Sequence, residues 1–294
     1  MKAKNLAWLT GIVLLWGSAF PLVKFALSEV PPVTLGFLRF LIATPILAVH
    51  TYLRDATGFR ALFRHNASAL IGMGVTGVMG YHVFQNIGIQ YTTATNSSLL
   101  IASNPIILAV LSILLLKEKV TLTQAAGIVI GFLGVVTIVL TEDQGLPVGA
   151  SSLVGDLLSL GGGASWAVYS IIGKRISTRT TPTGVTAAST IIGTTCLIPP
   201  TVLLETPHLP ATGGGWLAIV MLSLGPTYLA YVLWNHVLSE EEATRVGVSL
   251  FLIPVVTTVL SVAFLSEPLT PVMLAGMGLV LSGVFITERP REPP

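Results

Sequence analysis

The sequence predicts an all-α polytopic membrane protein, with ten transmembrane helices arranged as two inverted five-helix repeats. Three observations predict it. The 294 residues are 52% hydrophobic and only 10% charged, with a mean hydropathy of +0.83, whereas a soluble domain carries about a quarter charged residues. The apolar residues fall into runs of roughly 20, the length a helix needs to cross a bilayer core. The chain also matches itself when shifted by about half its length, the mark of an internal duplication.

Breaks placed where Pro, Gly or charges cluster give the spans. They are Leu6 to Leu27, Val33 to Leu53, Ala67 to Ile89, Ala94 to Leu116, Leu122 to Leu140, Leu153 to Ile172, Gly184 to Leu204, Trp216 to Val237, Ala243 to Leu265 and Pro271 to Thr287. The start, Met1 to Asn5 before apolar Leu6 to Leu15, has the outline of a signal peptide. The apolar run continues to Leu27 without a small-residue cleavage site, so it reads as a retained first helix. Connections such as Glu29 to Pro32 and Lys117 to Thr121 are short, and Arg54 to Asn66, Thr141 to Ser152 and Glu205 to Gly215 read as surface loops. The domain reading is a first repeat over 1–141, a linker over 142–152, a second repeat over 153–288 and a cytoplasmic tail over 289–294.

Placing every cation on this map orients the chain, because cytoplasmic loops accumulate Lys and Arg. With both termini inside, Lys2, Lys4, Arg54, Arg60, Arg64, Lys117, Lys119, Lys174, Arg175, Arg179, Arg245, Arg289 and Arg291 fall on the cytoplasmic side. Lys24 and Arg39 do not. The outer loops carry Glu29, Glu142, Asp143, Glu205 and Glu267. The expected location is therefore the cell inner membrane, multi-pass. The formal charge of +2 shows no basic stripe for nucleic acid, and the single Cys196 lies in an apolar run, which excludes disulfide frameworks and cysteine metal sites.

A shift of 149 brings Asn86 onto Asn235, Ala94 onto Ala243, Thr95 onto Thr244 and Pro105 onto Pro254. The same shift brings Glu118 onto Glu267, Gly127 onto Gly276 and Gly134 onto Gly283, while a shift of 150 brings Trp16 onto Trp166 and Lys24 onto Lys174. Each copy holds five helices, an odd number, so the second enters the membrane from the opposite face. Inverted repeats recur in secondary transporters, where similar halves exchange shapes to expose a central site to either side.

The run WGSAFPLVKFALSEVPPVTLGFLRF from Trp16 to Phe40 resembles the opening two helices of the drug/metabolite transporter superfamily, EamA type. So does Thr92 to Leu140, with mid-helix Pro105 and the LLLKEKVTL turn, and Ala243 to Thr287, with LSEPLT, is its second copy. The resemblance implies a ten-helix exporter with a central cavity between the halves. It also implies a peripheral last helix in each repeat serving subunit contacts, so monomer and homodimer both stand. Its finer likeness is to exporters of aromatic and other neutral amino acids. The superfamily also exports purines, drugs and other metabolites.

Polar groups at membrane depth cost about 2.5 to 3.5 kcal/mol when charged, so each needs a reason. Tyr81, His82, Gln85 and Asn86 form one stripe of the third span, and Tyr228, Tyr231, Trp234 and Asn235 its counterpart in the eighth. They either line a shared cavity or join helices by hydrogen bonds. Trp166, Tyr169, Ser170 and Gly173 offer an aromatic platform for a substrate ring or cation, or plain packing. Asn96, Ser103, Asn104 and Ser249 suit an amino acid's carboxylate and amine, or helix packing. The substrate-binding candidates are thus Tyr81, His82, Gln85, Asn104, Trp166, Tyr169, Tyr231, Trp234 and Ser249.

Pro105 and Pro254 are hinge or gating candidates, since each removes a backbone hydrogen bond near mid-helix; a static bend is the alternative. Asp156, with His82, is a coupling candidate, or is solvated at the interface. Either Lys24 or Arg39 pairs with Glu29, or Arg39 snorkels, or they attract a carboxylate. His50, His65, His82, His208 and His236 are scattered without an HxxxH or HExxH pattern, and no P-loop is present, which argues against an enzyme, a metal or a nucleotide cofactor. The expected partners are a small-molecule substrate and the lipid bilayer. The expected function is export of neutral or aromatic amino acids by alternating access, the alternatives being purines, cationic drugs, a channel or a lipid scramblase.

Overall fold

The computed structural model describes residues 1–91, 94–101, 104–139, 150–177, 180–265 and 271–288. Residues 142–149 of the half-joining linker, the tail, Ser103, Arg179 and Glu267 lie outside this set, as does the side chain of Asn96, while Ala150 to Ser152, expected as the end of the linker, are helical. Among the described residues all regular structure is helical. The helices are α1 (Ala3–Ala26), α2 (Pro32–Arg54), α3 (Ala56–Tyr91), α4 (Ala94–Ile101), α5 (Asn104–Leu116) and α6 (Leu122–Val139). They continue with α7 (Ala150–Ser177), α8 (Pro182–Leu204), α9 (Gly213–Glu240), α10 (Ala243–Phe264) and α11 (Pro271–Glu288). Of the described helices, α1, α2, α3, α8, α9 and α10 are each long and apolar enough to cross a bilayer.

Local chemistry sets the ends. Both α2 and α8 open on a proline, whose fixed φ and missing N–H suit a first turn with unpaired donors. Asp55 opens α3 by accepting from the Gly58 N–H at 2.8 Å. The stretch expected as a loop from Arg54 to Asn66 is therefore mostly helix, bending at Asn66 (φ −127°, ψ 20°) where it meets the apolar part of α3. It buries Phe59 and Leu62 on one face. Counting apolar runs passes over such a segment because its apolar residues follow the helical period instead of filling a run.

Two long helices turn π-helical midway, besides the π turn Ser112–Leu116 that ends α5. Gly74–Gly80 in α3 and Ser223–Leu229 in α9 are π-helical, so their hydrogen bonds run five residues back. In the second, the Thr227 hydroxyl donates to the Leu222 carbonyl at 2.8 Å. The bounds of the two π segments stand 149 positions apart, as do the starts of α4 and α10 and both bounds of α6 and α11. Those of α2 and α8 stand 150 apart.

The main core lies between α1, α2, α3, α7, α8 and α9, and includes Ile12, Phe40, Leu70, Met73, Tyr169, Trp234 and Leu238. Large apolar side chains also cover the outside, among them Leu53, Leu122, Leu203 and Phe264, as lipid requires. The last helices of the two expected repeats, α6 and α11, pack on each other within the same chain. A Cβ on Gly134 would lie 2.6 Å from the Gly276 carbonyl oxygen, and Gly127 approaches Gly283 in the same way. Glycine is needed there because the backbones touch. A second apolar cluster, built on Ala109, Ile128, Val248, Phe251, Met277 and Val280, ties this pair to α5 and α10.

Candidate functional site: a central aromatic cavity

The helices converge on a cavity of about 40 Å³, room for a few waters and well short of the roughly 300 Å³ or more of a small-molecule pocket. Rings fill the remaining space. Trp16 meets Trp166 edge-on at 5.1 Å, Trp166 meets Tyr231 at 5.0 Å and Tyr81 at 5.2 Å, and Phe40 meets His82 at 4.8 Å. Trp16–Trp166, Trp166–Tyr231 and Phe40–His82 are edge-to-face, a favourable and directional geometry, and Tyr81 is tilted against Trp166 at 53°.

Six of the expected site residues line the cavity: Tyr81, His82, Gln85, Asn104, Trp166 and Tyr231. The Tyr231 hydroxyl donates to the Gly77 carbonyl at 3.0 Å and lies 3.0 Å from His82 Nε2. Its one proton is committed to Gly77, so His82 donates through Nε2–H, and His82 Nδ1 is left buried without a partner. Asn104 donates to the Gly163 carbonyl at 2.7 Å and leaves its Oδ1 buried and unpaired.

Tyr169, Trp234 and Ser249 do not line the cavity. Asn235 Nδ2 donates to the Tyr169 hydroxyl at 2.6 Å and to Thr186 Oγ1 at 3.0 Å, and the Trp234 indole donates to Ser170 Oγ at 3.2 Å. These bonds join α7, α8 and α9 behind the aromatic wall. Ser249 returns its hydroxyl to the Val246 carbonyl at 2.7 Å within its own helix. Asp156 stands apart from the cavity, half-buried, with Oδ1 unpaired.

Pro254 follows a 3-10 turn at Ser249–Phe251, where α10 leaves regular α-helical winding. Pro105 is the second residue of Asn104–Leu111, just after residues outside the described set. Pro254 thus lies three residues beyond a change of winding, and Pro105 sits at the start of a described stretch.

Arg39 neither pairs with Glu29 nor snorkels, contrary to two of its expected roles. Glu29 accepts from Thr212 N–H at 3.0 Å and from the Thr212 hydroxyl. Arg39 is 3% exposed and lines the cavity, with Nε and Nη2 donating to Thr227 Oγ1 at 3.3 and 3.1 Å. Lys24 is exposed. Trp16 and Ser98 also line the cavity without having been singled out as site residues. Trp16 was marked by its match to Trp166, and its indole donates to the Pro226 carbonyl at 2.9 Å inside the π segment.

Two carboxylates hold helix N-termini beyond the cavity. Glu205 accepts from the Val33 and Thr34 N–H groups at 2.7 and 2.8 Å and from the Thr34 hydroxyl at 2.9 Å. At the other end Glu118 accepts from Ala243 N–H at 2.9 Å and from Thr244 N–H and hydroxyl at 3.2 and 3.1 Å. Anions at helix N-termini are stabilised by unpaired donors and the helix dipole. Near Glu118, Lys2 pairs with Glu240 at 3.1 Å and Lys174 bonds the Glu241 carbonyl.

An all-helical bundle with several bilayer-length apolar helices around a polar, aromatic core defines a multi-pass membrane protein. The chain belongs to the EamA-like transporter family, whose model matches residues 4–140 and again 153–289. An uncharacterised transporter of Archaeoglobus fulgidus is 32% identical over 95% of this chain and 96% of that one. A probable amino-acid metabolite efflux pump of Salmonella typhimurium is 28% identical over 94% and 91%, and a probable terminal-alkyne amino-acid exporter of Streptantibioticus cattleyicolor 26% over 98% and 95%. A crystal structure 21% identical in sequence shares the fold, with a TM-score of 0.81 over 98% of this chain and 97% of that one.

Proposed function

We propose that this transporter exports small organic metabolites, neutral and aromatic amino acids foremost, by alternating access through the central cavity. Its frame is ten membrane-spanning helices in two inverted repeats, 1–141 and 153–288, in the inner membrane with both termini cytoplasmic. The observation that carries the reading is that repeat-equivalent residues meet each other in the cavity. His82 contacts Tyr231, 149 positions on, and Trp16 packs on Trp166, 150 positions on.

Equivalent residues touch only near the axis that relates two copies, so a site lined by them belongs equally to both halves. Thr44 and Thr194, 150 positions apart, lie within 2.9 Å of each other on the same principle. The glycine contacts are reciprocal, Gly127 with Gly283 and Gly134 with Gly276, which is the pattern of a two-fold operation. With five helices per copy, such an axis lies in the membrane plane. The substrate class is supported by the two relatives named as amino-acid exporter and amino-acid metabolite pump and by the aromatic wall. The cavity in this structure is closed down on itself, so substrate enters only when the rings part. Pro105, Pro254 and the two π segments are where the helices are built to yield.

The test is uptake of radiolabelled amino acids, purines and cationic drugs by proteoliposomes holding the purified protein, with and without an imposed proton gradient. Saturable uptake of neutral amino acids supports the reading. Uptake confined to purines or drugs removes the substrate assignment. A gradient requirement would bring Asp156 and His82 into the coupling step.

A further inference from the structure

Among the described residues, Arg39 is a cation without a counter-ion. It is 3% exposed, it lines the cavity, and the bonds it makes go to one neutral hydroxyl, Thr227 Oγ1. That hydroxyl spends its own proton on the Leu222 carbonyl, so it serves Arg39 purely as an acceptor. The cavity lining contains no Asp or Glu among the described residues. A guanidinium taken from water to the centre of a membrane protein is costly unless an anion meets it. Its planar fork matches a carboxylate with two parallel bonds.

The same wall holds the complementary group. Asn104 Oδ1 is a buried acceptor with no donor, its amide nitrogen being fixed on Gly163, and His82 Nδ1 is another. Unpaired buried acceptors are uncommon and unfavourable. One cation, two orphan acceptors and a set of rings around a single space describe what a carboxylate, an ammonium and an apolar side chain would each require.

We propose that Arg39 anchors the carboxylate of the solute and that Asn104 Oδ1 accepts from its amine, which makes the substrate class α-amino acids and excludes purines and cationic drugs. The proposal rests on the reading of the central cavity as the transport site. Tyr81, Trp166 and Phe20 then receive the side chain, and aromatic amino acids fit best.

The test uses the full-length purified chain, with quenching of the cavity tryptophans as the readout and three probes: phenylalanine, phenylalanine amide, which lacks the carboxylate, and 3-phenylpropionate, which lacks the amine. In the wild-type protein the amide binds at least about tenfold more weakly than the amino acid, the scale of one charge-assisted hydrogen bond, and the phenylpropionate falls between. Arg39→Gln brings phenylalanine down to the level of the amide, and Arg39→Lys restores part of the difference. Asn104→Leu removes the preference for phenylalanine over phenylpropionate.

Equal binding of acid and amide by the wild-type protein overturns the anchor without any variant being needed. So does unchanged phenylalanine binding in Arg39→Gln protein that keeps the wild-type thermal transition, or quenching by chloride alone as strong as by the amino acid. Arg39-dependent binding without uptake into proteoliposomes leaves the anchor standing and removes the transport reading. Phenylalanine uptake indifferent to Arg39→Gln does the reverse.

Discussion

Removing one oxygen from Tyr231 tests whether the meeting of the two halves carries stability. Tyr231→Phe keeps every ring contact, including those to Phe40, Trp166 and Tyr169, and deletes the hydroxyl between Gly77 and His82. His82 is then left with neither nitrogen bonded, since Nδ1 already lacks a partner. In a soluble core each orphaned group would cost about 1–3 kcal/mol. Within a membrane protein the unfolded reference finds partners of its own, and interhelical bonds average about 0.6 kcal/mol, with a maximum near 1.7. Two such bonds give an expected loss of about 1–3 kcal/mol. SDS-driven unfolding in mixed micelles, followed by tryptophan fluorescence, measures it, and a cycle with His82→Phe isolates the pair, with a coupling of about 0.6–1.7 kcal/mol. A loss under about 0.3 kcal/mol, or additive single mutants, would refute the view that this bond is satisfied only by its partner across the repeat.

Other perturbations read other parts of the frame. Glu118→Ala strips three hydrogen bonds from the start of α10 and is expected to cost about 1–3 kcal/mol, while Glu118→Gln retains part of it; the same unfolding titration reports both. Gly134→Leu forces a side chain onto the α11 backbone and is expected to destabilise by about 1–3 kcal/mol or more, with Phe251 and Met277 losing their cover. Glu29 has its carboxyl held below the ordinary 4.5, chiefly by the Thr212 hydroxyl and then the Thr212 N–H. Because the folded value is depressed, its contribution is present above the unfolded value and lost as pH falls through the folded one. Stability should therefore decline on acidification below about 4.5, and Glu29→Gln should flatten that decline in thermal melts taken across the range.

The helical character was readable because lipid writes itself along the chain, and the repeat is read from the same chain by matching it against itself. Apolar runs need no knowledge of the partners they pack on, and the 149-residue register that placed His82 opposite Tyr231 needed only the matching of residues. The rest depends on winding and depth. Neither π segment has a signal in composition beyond Gly-rich or Pro-containing stretches, yet each changes which residues of its helix face inward. In the α-helical stretch Ala230–Glu240 that follows the second, Tyr231 reaches the cavity while Trp234, three residues on, bonds Ser170. Arg39 was visible as a cation off the charge pattern, but its depth and its reliance on Thr227 follow from α2 meeting α9. The helix from Ala56 to Asn66 did carry a signal, the spacing of Phe59, Leu62 and Phe63, which a search for apolar runs does not register.

On the two-repeat reading, the scaffold and the site obey different rules. The scaffold contacts are symmetric: Thr44 with Thr194, and Gly127 and Gly134 with Gly283 and Gly276. Such pairs stay satisfied whichever half opens, as an exchange of shapes requires. A site for an amino acid cannot be symmetric, because its ligand has one carboxylate and one amine. At the position 150 residues beyond Arg39 stands Ser189, fully buried, its hydroxyl returned to the Thr186 carbonyl. A Cβ on Gly74 would lie 3.0 Å from its carbonyl oxygen, so α3 and α8 approach closely there. The counterpart of Thr227, 149 positions earlier, is Val78, which has no hydroxyl to hold a guanidinium. One half carries the cation and the other does not, so on the alternating-access reading both open states present it from the same helix and the solute keeps one orientation throughout the cycle.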